Sequence, residues 1–196
     1  SARCGRSGGS GRESFDMRKA LYVLGELEDS DLQWLLDAGR SRQVRSGEAI
    51  IHEGKRLDDL FIVLSGELSV RVGPDGGKEV ARLGPGEMVG DMSLLDSRPP
   101  NATVAALQDT RLFTIAQSAL RSKLDKDSAF AARFYRAICI FLANRLNRAT
   151  TMIGTGRTPN LDESVQEEDE ISPDALDKVG LAGARFDWFK QHVGQR

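Results

Sequence analysis

Apolar residues follow three rhythms in succession along the chain. Leu21, Leu24 and Leu27 recur at helical spacing, so they line one side of a helix. The stretch "EDSDLQWLLDAG" predicts a second helix, with Asp29 or Ser30 as cap, Leu32, Leu35 and Leu36 as the apolar face and Gly39 as the end. From about Arg42 the helical rhythm gives way to short apolar runs punctuated by glycine. "EAIIHEG", "DLFIVLSG", "ELSVRVG", "KEVARLG", "ATVAAL" and "TRLFTIA" are the candidate strands. Leu68, Val70 and Val72 alternate with Ser69 and Arg71, as in a half-buried strand. "VGPDGGKEV" carries Pro and Gly where a hairpin reverses. Helical spacing returns near Ser128. Phe130, Phe134, Ile138, Phe141, Leu142 and Leu146 line one side through about Ile153, and Arg133, Arg136, Arg145 and Arg148 charge the others. "GTGRTP" then breaks the helix. The expected fold class is mainly β with flanking α: a jelly-roll-type β-barrel with N-terminal helices and a long C-terminal helix.

The ends of the chain read differently. "SARCGRSGGSGR" has no periodicity and is rich in Gly, Ser and Arg, so a flexible arm is expected over 1–14. The barrel and long helix occupy 15–153. The stretch from Asp162 to Asp177 holds eight acidic residues and no Lys or Arg, which predicts a solvated acidic linker over 154–172. An amphipathic segment with Phe186, Trp188 and Phe189 fills 173–196. It either docks on its own chain, over the pocket or a dimer seam, or serves as a handle for a protein partner.

Composition narrows the function. The 196 residues carry a net charge of -2, which draws the chain to neither nucleic acid nor an anionic membrane. No apolar run approaches the roughly 20 residues that span a bilayer, and the N-terminus lacks a signal peptide's apolar core, so a cytoplasmic location without membrane contact is expected. Cys4 and Cys139 read as free thiols. The two histidines, His52 and His192, are too few and too scattered for a metal cluster. No nucleophile–base arrangement and no Gly-rich triphosphate loop is visible. A non-catalytic protein without metal or cofactor is expected.

Two stretches, "GEAIIHEGKRLDDLFIVLSGELSV" and "LGPGEMVGDMSLLDSRPPNATV", together resemble the cyclic nucleotide-binding domain. This is the sensor module of catabolite activator-type regulators, cyclic nucleotide-dependent kinases and gated channels. The resemblance covers roughly Leu27 to Asn147, and the second stretch looks like the family's phosphate-binding cassette. It implies a cyclic nucleotide or cyclic dinucleotide as ligand, held at Gly90, Asp91, Met92, Ser93, Arg98, Asn101, Ala102 and Thr103. In the family a glutamate after the glycine accepts from the ribose 2'-hydroxyl, and an arginine in the following loop pairs with the cyclic phosphate. Here Asp91 takes the glutamate's place, one methylene shorter; it serves as ribose acceptor, as helix cap, or as both. Ser93 either allows close packing or faces the ligand. The arginine's position falls on Pro100, which has no charge, no side-chain donor and no backbone N–H. A charge-assisted hydrogen bond contributes roughly 1.5–3 kcal/mol, so its loss predicts binding weaker by about 10- to 200-fold. Arg98 or Asn101 stands near enough in sequence to compensate; otherwise Arg98 is a solvent-facing arginine and Asn101 a turn residue. Thr103 belongs to the return strand.

The resemblance also implies a homodimer through the helix at 129–153, with Ile138, Phe141, Leu142 and Leu146 as its seam. Regulators of this family carry a DNA-binding unit after that helix. The 43 residues from Gly154 hold five Lys/Arg and nine Asp/Glu, a net of -4, the wrong sign for gripping phosphates, so no DNA contact is expected. The expected function is a regulatory or sensor domain with altered or weakened phosphate recognition. The alternatives are a ligand-independent interaction scaffold of the same fold, or a regulatory fragment of a larger protein.

Overall fold

The computed structural model describes residues 19–74, 77–96, 98–154 and 173–194. The arm expected over 1–14, Cys4, nearly all of the acidic linker and the Asp75–Gly76 tip of the hairpin lie outside the described residues. In chain order the protein opens with helices α1 (Lys19–Glu26) and α2 (Asp29–Ala38). Strands β1 (Arg40–Val44), β2 (Ala49–Ile51), β3 (Asp59–Ser65), β4 (Leu68–Val72), β5 (Lys78–Leu83) and β6 (Met88–Val89) follow. The short helix α3 (Asp91–Asp96) comes next, then β7 (Thr103–Ala106) and β8 (Thr110–Ala116). Helices α4 (Gln117–Lys126), α5 (Ser128–Gly154) and α6 (Pro173–His192) complete the order.

The strands form two antiparallel sheets of four, ordered β1-β8-β3-β6 and β2-β7-β4-β5. Phe61 pairs with Thr114 in the first sheet, and Val70 with Val104 in the second. The first sheet is covered on both faces. Leu60, Ile62 and Leu64 of β3, with Phe113 and Ile115 of β8, face the helices. Phe61, Val63 and Leu112 face the barrel interior with Val44, Leu68, Val89 and Val104. This double burial explains why "LFIVL" is a continuous apolar run rather than an alternating one. In β4, Leu68 and Val70 join the barrel interior, while Ser69, on the opposite strand face, is buried by a polar network.

Several expectations need correction. The strand β1 is not among the candidate strands, because "RSRQV" is an edge strand with a single buried side chain, Val44. The helix α4 carries only Gln117, Leu120 and Leu124 inward, too thin a stripe to show against its charged residues. The α2 cap is Glu28, not Asp29 or Ser30; the Asp31 carboxylate accepts the Glu28 N–H at 2.9 Å. Gly39 ends α2 in extended backbone, with φ of -106°. It is glycine for want of space: a Cβ there would fall 2.1 Å from the Phe113 ring. In α5, Phe130, Phe134 and Ile138 are buried in this chain's own core. Ile138 is therefore unavailable to a dimer seam, whereas Tyr135, Cys139 and Leu142 are exposed. The side chains of Phe141 and Leu146 lie outside the described residues.

The closing segment docks on its own chain. Ala182, Phe186, Phe189 and Val193 of α6 and the residue after it enter the core against α1 and β8. Phe189 meets the Phe113 ring edge-on, with centroids 4.9 Å apart. The 4-3-4 spacing of these four residues is what one face of a helix requires. Trp188 stays partly exposed on the outer side.

Candidate functional site

The site grows from the end of β6. Gly90 has φ of +95°, a region that side chains disfavour. A Cβ there would also lie 2.9 Å from Leu57 Cδ2 and 3.0 Å from the Asp59 carbonyl oxygen. Glycine thus lets the chain turn sharply from β6 into α3 while pressed against the start of β3. Asp91 opens α3 and is buried. Leu94 packs into the helix-side core, which fixes the roll of α3. Met92, at 65% exposure, and Leu95 consequently point outward.

The loop after α3 is tied down by backbone contacts. The Ser93 hydroxyl donates to the Arg98 carbonyl at 3.0 Å, so this small buried residue fastens the loop to the helix. The Gly54 N–H donates to the Pro100 carbonyl at 2.8 Å. Thr103 Oγ1 accepts the Glu53 N–H at 3.1 Å where β7 begins. Asn101 is exposed and Ala102 half-buried between them. The Arg98 guanidinium lies on a neighbouring carboxylate, Nε to Asp96 Oδ2 at 2.8 Å, with its side chain 82% exposed. The Arg98 N–H also donates to Asp96 Oδ1 at 3.1 Å. Gly90 through Thr103 therefore come together as one unit, with Arg98 turned to Asp96.

Two residues of α4 support this unit and were missed with their helix. Gln117 Nε2 donates to the carbonyls of Gly90 and Asp59, both at 3.2 Å. Arg121 Nη2 donates to the Ser93 carbonyl at 2.9 Å, a carbonyl near the end of α3 that lacks a partner within the helix. Leu120 and Leu124, four apart and both buried, were the available signal.

A cleft of about 700 Å3 runs between this loop, the start of β3 and α4, lined among others by Arg56, Leu57, Asp59, Ser93, Arg98 and Arg121. Its arginines are engaged: Arg56 with Asp58 at 2.8 Å, Arg98 with Asp96 and Arg121 with the Ser93 carbonyl. Across β4 and β5, Ser69 Oγ donates to Glu79 Oε2 at 2.7 Å, and Arg82 Nε donates to Glu79 Oε1 at 2.7 Å. These two bonds, Arg82 first, hold the Glu79 carboxyl below the usual carboxylate range. Among the described residues no group of three metal-ligating side chains converges. His52 is exposed, and His192 stacks on Trp188 with its Nδ1 2.7 Å from the Trp188 carbonyl oxygen.

The family model for the cyclic nucleotide-binding domain matches residues 41–127, the span from β1 to the end of α4. Over this segment the chain is similar to the cyclic nucleotide-binding domain. The cAMP-dependent protein kinase regulatory subunit of Mycosarcoma maydis is 32% identical over 118 residues, covering 54% of this chain and 22% of that protein. The chain thus spans about a fifth of that relative's length. The catabolite activator protein of Thermus thermophilus superimposes with a TM-score of 0.56 at 26% identity, covering 68% of this chain and 62% of that one. The N-terminal domain of a transcriptional regulator from Streptomyces coelicolor A3(2) gives 0.56 at 27% identity, covering 69% and 94%. The fold is mainly β with flanking helices, as the resemblance implies. Among the described residues no helix is long and apolar enough to cross a membrane.

Proposed function

We propose that this cyclic nucleotide-binding domain is a non-catalytic regulatory sensor whose recognition of the cyclic phosphate is weakened. The observation that carries the reading is the cassette's backbone frame joined to Pro100. Gly90 makes its turn, Asp91 opens α3, and Ser93 fastens the loop, yet Pro100 stands where the family places its arginine. Arg98, the nearest arginine, is spent on Asp96. In this reading Gly90, Asp91, Met92, Ser93, Ala102 and Thr103 shape the ligand pocket. Arg98 or Asn101 supplies the phosphate contact only after turning inward. The ligand is a cyclic nucleotide or cyclic dinucleotide, in a cytoplasmic setting.

The same reading makes the domain the regulatory portion of a longer assembly, in keeping with its coverage of 22% of the kinase regulatory subunit. A homodimer would form along the outer side of α5, through Tyr135, Cys139 and Leu142, the side that the intramolecular core leaves exposed.

Calorimetric titration with cAMP, cGMP and cyclic dinucleotides tests the proposal. Saturable micromolar binding of one of them, lost in Arg98→Ala or Asn101→Ala, establishes a rebuilt phosphate site. No heat at millimolar ligand, in a protein shown to be folded, removes the sensor reading for these ligands and leaves the interaction scaffold.

A further inference from the structure

The short helix α1 is held at both ends. At its start, the Ala20 N–H donates to the Gly86 carbonyl at 2.9 Å. Gly86 lies in the turn that leads into β6, four residues before Gly90, and its own N–H donates to Val63 at 2.8 Å. At its far end, Arg185 of α6 clasps the carbonyls that a helix C-terminus leaves without partners. Arg185 Nη1 donates to Leu27 at 2.6 Å, Leu24 at 3.1 Å and Gly25 at 3.3 Å, and Nη2 donates to Asp29 Oδ1 at 3.0 Å. A guanidinium there also meets the negative end of the helix dipole. Ala182 and Phe186 anchor α6 in the core on either side of this clasp. The last turn of α6 is held in return by Arg111 of β8, whose Nη2 donates to the Lys190 carbonyl at 3.4 Å.

A helix of eight residues is too short to be stable alone. Its position is set by the core packing of Ala20, Val23, Leu24 and Leu27 and by what grips its ends. Here one grip is the turn feeding the cassette and the other is α6.

We propose that α6 is a regulatory latch: its seating on α1 through Arg185 is coupled, along α1, to the order of the Gly86–Leu94 segment. Displacing α6 loosens the cassette, and loosening the cassette weakens the seat of α6 by the same free energy. The coupling belongs to the fold and does not require that a nucleotide bind. A partner that captures α6 would thus act on the site without touching it.

Amide hydrogen exchange on the full chain tests this, comparing wild type, Arg185→Ala and Trp188→Ala. Arg185→Ala removes charge-assisted bonds worth roughly a tenfold or larger change in the opening equilibrium. The expected result is exchange faster by about that factor in 182–193, in 20–27 and in 86–94, with β4 and β5 of the other sheet unchanged. Trp188 faces outward, so Trp188→Ala leaves 20–27 and 86–94 at wild-type rates. Faster exchange in 182–193 alone overturns the proposal, as does no change at all. An equal rise in β4 and β5 also overturns it, because the effect is then general loss of stability. No ligand is present, so failure here is separate from failure of the nucleotide reading.

Discussion

Two arginines of this chain stand in opposite situations. Arg133 on α5 is 24% exposed and faces an Asp31 carboxylate that is 3% exposed. It makes a two-point contact, Nε to Oδ2 at 2.8 Å and Nη2 to Oδ1 at 3.1 Å, and reaches Glu28 at 3.1 Å. Arg98 in the cassette loop is 82% exposed and pairs with a half-exposed Asp96. The first pair joins α2 to α5 in a desolvated joint, and its attraction holds the Arg133 pKa above its ordinary value, the Asp31 hydrogen bonds being the largest cause. The second pair is set in water, where such contacts contribute little. One arginine thus fastens two helices from a buried position, while the other lies in water beside the candidate cleft.

The largest expected effect lies at the joint. Arg133→Ala leaves the buried Asp31 carboxylate with only the Glu28 N–H among these contacts, and is expected to cost about 2–4 kcal/mol of stability. Urea unfolding of the variant reads this directly. The paired change Asp31→Asn with Arg133→Met should recover much of the loss, since it removes both charges together. A loss below about 0.5 kcal/mol in the single variant would place Arg133 with the surface pairs and dissolve the contrast with Arg98.

Next in size is a test of the proposed reading of Pro100. Pro100→Arg keeps the carbonyl that receives the Gly54 N–H and, in the proposed reading, adds a guanidinium where the phosphate would lie. Binding of the preferred cyclic nucleotide is expected to tighten by roughly 10- to 200-fold, measured by calorimetry. Unchanged affinity would mean that the loop does not deliver position 100 to the phosphate.

How far sequence carried the reading follows from the same physics. The barrel strands were legible because β3 and β8 bury apolar runs, whereas the stretch from Gly90 to Val104 was marked as a cassette by resemblance. The strand β1 was not legible, since an edge strand with Val44 as its single buried residue has no apolar rhythm. Gln117 and Arg121 were hidden because their role is to donate to backbone carbonyls, which leaves no trace in composition. Arg98 was weighed both as a stand-in phosphate contact and as a solvent-facing loop arginine; its exposed pairing with Asp96 depends on the loop's path, which no spacing encodes. Likewise Arg185 reads as a tail charge until α6 is seen seated on α1.

The weak pair makes a smaller prediction. Arg98→Ala is expected to change stability by less than about 0.5 kcal/mol, because the loop is held by Ser93, Gly54 and Thr103 through contacts that the variant leaves in place. A larger thermal shift would show that the Asp96 pair orders the loop, and so narrows the freedom of Arg98 to turn inward.

Glu79 lies between the two extremes and sharpens the comparison through pH. Its carboxyl, 30% exposed beside an Arg82 that is 54% exposed, is held below the usual carboxylate range by Arg82 and then Ser69. A carboxyl with a lowered folded-state pKa stabilises the protein above its unfolded-state pKa, and that contribution disappears as pH falls through the folded-state value. Glu79→Gln should therefore flatten the acid limb of the stability curve, while the two proteins run parallel near neutrality. Urea midpoints taken between about pH 6 and pH 3 resolve this. Curves that stay parallel throughout would put Glu79 with Arg98 as a solvent-set pair, and would leave the buried joint at Asp31 as the domain's main electrostatic fastening among the described residues.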